Sequence, residues 1–145
     1  MVTHQKFLKW ILLIIELKNK LFQVPKNDRQ NAVIAAAKHS WKGYKQFAWG
    51  HDFLRPLNKT PKDVFGLGVT IVDGIDTLFV MELQEEYEEA RLWIEESLNF
   101  QVDKDVNVFE VTIRVLGGLL SIYHLSDDKM FLEKAVISLK TILKA

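Results

Sequence analysis

The sequence predicts an all-α fold built from helical hairpins. Apolar residues recur at three- and four-residue spacings over most of the chain, as they do on the buried face of an amphipathic helix. Only the stretch 50–68, with two prolines and three glycines, interrupts this pattern. The last two pairs of predicted helices share one pattern: the first helix ends in a short turn, and the second begins with acidic residues and has an alanine near its centre. This similarity indicates a repeated α/α unit.

The apolar pattern predicts six helices. They are expected at about 6–22, 28–47, 67–83, 85–98, 108–125 and 127–143. The first should end before Pro25, because the residue that precedes a proline is disfavoured in a helix. Asp28 is the expected N-cap of the second helix, and Ser126 or Asp127 that of the sixth. The acidic run 85–89 opens the fourth helix and is interpreted as a solvated face.

Residues 1–28 form a separate N-terminal segment with a helix and a linker. Its apolar run, 7–17, is broken by Lys9 and Glu16 and is shorter than the ~20 apolar residues that span a bilayer. An amphipathic or buried helix, a degraded signal-anchor and a signal peptide all fit this run. Membrane association through the N-terminus is therefore one of the expectations.

The composition excludes several classes of function. Nineteen basic and nineteen acidic side chains cancel, and no basic patch is interleaved with aromatic residues, so nucleic acid is not an expected partner. Cysteine is absent, which excludes disulfides and thiolate chemistry. The histidines show no metal-binding spacing, and we expect no metal site within this chain. Asn58 heads a glycosylation sequon with Thr60, which would matter only in a secretory lumen.

Glu110 lies three residues after Asn107 and four before Arg114. The first spacing is that of a capping box and the second places both charges on one helical face, so one interpretation is a capped helix with a single ion pair. The helix is otherwise apolar, with Thr112 and Ser121 as its other polar residues up to Tyr123. A partly desolvated carboxyl group on such a helix is the alternative, and it would suit a general acid.

Asp73 and Asp76 are three residues apart on another apolar helix. Two carboxylates on one face can serve a sugar, a metal or the end of a helix, but from the spacing alone the pair is interpreted as structural. An aromatic cluster on and just after the second helix, from Trp41 to Trp49, is interpreted as core, with a sugar platform as the alternative.

Three segments together resemble one family. They are 39–52 (HSWKGYKQFAWGHD), 66–81 (GLGVTIVDGIDTLFVM) and 107–126 (NVFEVTIRVLGGLLSIYHLS). In order and spacing they are similar to signatures of the class I α-1,2-mannosidases, glycoside hydrolase family 47. The resemblance covers about 115 residues. The residues of these segments are most similar to those of the endoplasmic-reticulum branch of the family, and mannosidase-like lectins are the nearest alternative.

The resemblance implies an α/α barrel of which the predicted hairpins form part, so residues 29–145 would be the N-terminal portion of a catalytic domain. It implies inverting hydrolysis of terminal α-1,2-mannose on high-mannose N-glycans. By the family motifs, Glu110 is the expected general acid, and Arg114 contacts substrate and tunes that acid. Asp73 and Asp76 line or support the pocket. The family also binds Ca²⁺ at the barrel floor.

The same resemblance implies that parts of the site are missing. In the family the catalytic base and the calcium ligand come later in a domain several hundred residues long, so we expect the chain to be inactive alone. Its last residues, 142–145, fall inside a predicted helix, as in a truncated chain. A non-catalytic lectin or an unstable truncated product is the alternative. The expected location is the lumen of the endoplasmic reticulum or Golgi.

Overall fold

A computed structural model describes residues 27–102 and 105–143. The chain divides into two compact units, Met1–Ala35 and Ala36–Ala145. The predicted helix at 6–22 lies outside the described residues. In the first unit, the described part begins with reciprocal hydrogen bonds between Asn27 and Gln30, of 2.9 and 3.0 Å, which close the start of a helix. Asn27 therefore supplies the cap, and the prediction that Asp28 does so was wrong, because Asp28 is already helical.

Five helices make up most of the described residues. They are α1 (Asp28–Ala48), α2 (Val69–Val80), α3 (Gln84–Ser97), α4 (Val108–Ser126) and α5 (Lys129–Ile142). Each coincides with one predicted helix to within a few residues at its ends. The chain order places α2 with α3 and α4 with α5 as two helical hairpins, and α2 also packs against α4. The all-α fold of helical hairpins is confirmed.

The stretch between α1 and α2 contains a small β-hairpin that the sequence did not predict. Strands β1 (Phe53–Arg55) and β2 (Thr60–Lys62) pair antiparallel, with Phe53 opposite Lys62. Three-residue strands are too short to show an alternating pattern, and a proline within β2 argues against a strand. Asn58 lies in the exposed turn between the strands.

The buried carboxylate of Asp52 fixes the start of α2. Asp52 is fully buried and accepts backbone N–H bonds of 2.6 to 3.2 Å from five residues. The donors are Val64, Phe65, Gly66, Leu67 and Val69. Burial alone would raise the pKa of Asp52, but these donors outweigh it and hold the pKa below its ordinary value. The loop that leads into α2 is thereby wrapped around one charged group.

The core lies between α2 and its neighbours. Its fully buried side chains include Ile71, Val72 and Ile75 of α2, Ile94 of α3, Val115, Leu119 and Ile122 of α4 and Phe131 of α5. Trp41 and Tyr44 of α1 are also buried, and both contact the ring of Trp49. Their burial supports the interpretation of this aromatic cluster as core.

The junction between α4 and α5 differs by one residue from the prediction. Asp127 adopts a left-handed conformation (φ 59°) that ends α4, and it is Asp128 whose side chain caps α5 by accepting from Met130 N–H at 3.0 Å. Neither Ser126 nor Asp127 is the N-cap, so that prediction was wrong. Asp128 also accepts a 2.7 Å hydrogen bond from Arg91, which ties α3 to the start of α5.

Helix α4 is long and apolar enough to cross a membrane by length and composition. A core helix passes the same test, and α4 buries Val111, Val115, Leu119 and Ile122 against the protein. It is the one helix of this kind within residues 27–102 and 105–143, which is weak support for a membrane span.

Candidate active site

The first turn of α4 presents Glu110. The N-cap Asn107 accepts a 3.2 Å hydrogen bond from the Glu110 N–H, which is one half of the predicted capping box. The other half is replaced, since the Glu110 carboxylate accepts a 2.7 Å hydrogen bond from Nε of Arg114. The predicted four-residue ion pair is therefore present. Its side chains keep about a third of their surface exposed, so the carboxylate remains accessible.

Arg114 lies in a π-helical turn, Thr112–Leu116, within α4. In this turn the Gly117 N–H donates to the carbonyl of Thr112, five residues earlier. Thr112 also bonds back to the carbonyl of Val108 through its hydroxyl, at 2.7 Å. Single π turns inside α-helices are rare and are frequent at functional sites.

Helix α2 brings both predicted aspartates to the same face of α4. Asp73 Oδ2 accepts from Nη1 of Arg114 at 3.3 Å, and Asp76 Oδ2 accepts from the hydroxyl of Ser121 at 2.6 Å. Arg114 thus bridges Glu110 to Asp73. All four residues predicted for the site come together along the α2–α4 contact, although their catalytic roles stay predictions.

Burial and neighbouring charges shift the pKa values of Asp73 and Arg114 in this cluster. Burial raises the pKa of the Asp73 carboxyl above its ordinary value; the Arg114 cation opposes this effect and the charge of Asp76 adds to it. The hydrogen bond to Glu110 raises the pKa of Arg114; burial opposes this effect, and the charges of Glu110 and Asp73 add to the rise. Arg114 therefore stays charged, and its charge is shared between two carboxylates.

Two residues of this face were not among the predicted site residues. Ser121 was noted only as one of few polar residues on its helix, yet it fixes Asp76. Gly118 lies between Arg114 and Ser121, where α4 approaches the backbone of α2. Arg114, Gly118 and Ser121 all meet α2 in the structure, and their three- and four-residue spacing was the available signal.

No metal centre is found in the described ranges 27–102 and 105–143, where no group of three or more His, Asp or Glu side chains could hold an ion. An apolar groove of about 130 Å³ between the start of α4 and the end of α5 is lined by Val108, Val111, Thr141 and Ile142, among others. Glu110 does not line this groove, so the groove is not the site described above.

Known proteins match the part of the chain that contains this cluster. The sequence model of glycosyl hydrolase family 47 matches residues 36–145. The chain is 57% identical over 111 residues to the endoplasmic reticulum mannosyl-oligosaccharide 1,2-alpha-mannosidase of Rattus norvegicus, covering 77% of this chain and 17% of that protein. The Homo sapiens protein of the same name is 54% identical over 109 residues, covering 75% and 16%.

A plant protein shows the same relationship. A mannosyl-oligosaccharide 1,2-alpha-mannosidase of Arabidopsis thaliana is 53% identical over 109 residues, covering 74% of this chain and 20% of that protein. The chain thus spans about a fifth or less of the length of these relatives. The matched residues include the whole Glu110–Arg114–Asp73 cluster, and the chain belongs to glycosyl hydrolase family 47.

Proposed function

We propose that this chain carries the general acid of an inverting α-1,2-mannosidase. The complete site would act on terminal α-1,2-mannose of high-mannose N-glycans. The observation that carries the proposal is the accessible Glu110 carboxylate, held by Arg114 on a helix that is otherwise apolar. Family membership and the names of the relatives support the reaction class.

Inverting hydrolysis uses two carboxyl groups, one as a general acid and one as a general base. An acid protonates the leaving oxygen while a base on the opposite face of the sugar activates water, with the two groups about 6.5–9.5 Å apart. Glu110 would hold the proton for the leaving oxygen, and Arg114 would fix the direction of its carboxyl group. Asp73 supports Arg114 from α2, and Asp76 supports the same face through Ser121.

The base is proposed to come from residues beyond this cluster. Asp73 is bound to the same arginine as Glu110, so it supports the acid and is poorly placed to activate water across a sugar ring. The chain alone is therefore proposed to release no mannose. No group of side chains that could hold an ion is found among the described residues. An ion that engages sugar hydroxyls, Ca²⁺ in this proposal, would be held by ligands that come later in the domain than this chain.

The proposed setting is the secretory pathway. The printed names of the rat and human relatives include the endoplasmic reticulum, which supports a lumenal location in that compartment or the Golgi. Membrane association is proposed through residues 1–28, of which 1–26 lie outside the described part of the chain. Asn58 lies in an exposed turn, which supports its proposed role as a glycan acceptor in such a lumen.

A segment exchange tests the function. The aligned 111 residues of the rat relative are replaced by those of this chain, and mannose release from a high-mannose N-glycan is measured. We expect release by this chimera, loss of release on calcium chelation, and no release by the 145-residue chain. A folded chimera that binds the glycan without releasing mannose would favour the lectin alternative. Release by the 145-residue chain would show that the base lies within it.

A further inference from the structure

Helices α2 and α4 approach each other closely at Gly118. A Cβ atom built on Gly118 would lie 2.4 Å from the carbonyl oxygen of Val72 and 3.4 Å from the Cα of Asp73. Both contacts are with the backbone of α2, so no flexible side chain can move aside. Gly118 itself is buried and has a helical conformation, so its value here is its lack of a side chain.

Two polar contacts between these helices flank this point. Arg114, four residues before Gly118, reaches Asp73, and Ser121, three residues after it, reaches Asp76. These contacts show that the three residues of α4 face α2, and the three-residue spacing of the two aspartates places them on one face of α2. The separation and register of the two helices at Gly118 therefore determine whether both contacts can form.

We propose that Gly118 is a positioning residue of the active site, which sets the α2–α4 separation at which Asp73 holds Arg114 and Arg114 holds Glu110. The proposal rests on the function proposed above, since it explains how the acid is held in place. A methyl group at position 118 would push the helices apart by about 1 Å to reach ordinary contact with Val72. The 3.3 Å contact between Arg114 and Asp73 has no slack for such a shift.

The adjacent Gly117 provides a matched control. A Cβ atom on Gly117 would meet only the carbonyl oxygen of Thr112, at 3.5 Å, which is an ordinary contact. Gly117→Ala and Gly118→Ala therefore add the same methyl group to neighbouring helical positions of α4, and only the second pushes on α2.

The first measurement uses the full 145-residue chain and needs no activity. The carboxyl ¹³C signal of Asp73 is titrated by NMR in the unsubstituted chain and in both variants, with an excluded osmolyte that favours the folded state. Since Arg114 lowers the pKa of Asp73, we expect a higher value in Gly118→Ala and an unchanged one in Gly117→Ala. Identical titrations in a folded Gly118→Ala chain would overturn the proposal.

The second measurement uses the chimera with the rat relative, whose complete domain supports a variant that unfolds in isolation. We expect Gly118→Ala to lower kcat per folded molecule by about 10²-fold, as displacements near 1 Å do, and to shift its pH profile. A merely structural role would reduce the folded fraction and leave that profile unchanged. A pH profile and kcat per folded molecule equal to those of Gly117→Ala would refute the positioning role.

The two measurements separate this inference from the proposed function. An inactive parent chimera would sink the function, while the Asp73 titration would still decide the role of Gly118. An active parent chimera in which Gly118→Ala has no effect would sink the inference alone.

Discussion

The hydroxyl of Ser121 donates a 2.6 Å hydrogen bond to the Asp76 carboxylate and so joins α4 to α2 beside the candidate acid. We expect Ser121→Ala to lower the free energy of unfolding by about 1 kcal/mol, because a half-buried carboxylate loses its donor. Urea denaturation measures this change. Ser97→Ala, at the exposed end of α3, is the control and should change stability by less than about 0.5 kcal/mol. Equal effects of the two substitutions would contradict a role for this contact.

Glu110→Gln is expected to lower mannose release by the chimera by about 10²- to 10⁴-fold, the usual contribution of a general acid. An amide cannot donate the proton that the leaving oxygen needs, although it preserves the size of the side chain. Glycan binding, measured by calorimetry, should persist. Glu96→Gln, on the exposed face of α3, should leave release at the parental rate. Undiminished release by the Glu110 variant would remove this residue from its proposed role.

Asp73→Asn should alter the pH dependence of stability with a definite sign. The pKa of the Asp73 carboxyl is raised in the folded chain, so the folded state binds its proton more tightly than the unfolded state does. The contribution of Asp73 to the free energy of unfolding therefore falls as the pH rises above about 3.8, the ordinary pKa of the group. The variant and the unsubstituted chain should match near pH 3, and the variant should gain relative stability toward pH 7. Urea unfolding across this range measures the difference. A variant that loses relative stability toward pH 7 would show that the contact with Arg114 outweighs burial.

Asp52→Asn should change the pH dependence of stability in the opposite direction. The pKa of Asp52 is lowered in the folded chain, so its contribution is present above about 3.8 and is lost as pH falls through the lower folded value. The variant should lose at least about 2 kcal/mol near pH 7, because an amide cannot serve all five N–H donors. The loss should shrink toward pH 2. Asp105→Asn, an exposed control, should show neither effect.

The positions of the helices were predictable because their apolar spacing is a local property of the sequence. The pair Glu110–Arg114 was predictable for the same reason, since a four-residue spacing fixes the face of a helix. The contact of Arg114 with Asp73 joins residues 41 positions apart, so local spacing could not predict it.

Other features depended on details that spacing does not carry. Asp127 and Asp128 have the same side chain, and only the left-handed backbone at Asp127 decides which of them caps α5. The hairpin between α1 and α2 has strands of three residues, which are too short for a pattern. The proposed acid role of Glu110 came from the family resemblance, because its spacing fits a capped helix equally well.

The π turn in α4 has a consequence for the phase of the helix. A regular α-helix advances about 100° per residue, so the one extra residue in a π turn offsets everything after it by about that angle. The side chains on either side of Thr112–Leu116 therefore follow two angular registers along a single axis. If the same residues formed a regular α-helix, the Ser121 face would be rotated by about 100° away from α2 while the Glu110 end stayed in place, whereas deletion of one residue within the turn would restore both faces. The site thus depends on the wide backbone turn at Thr112–Leu116 as much as on the identity of its side chains.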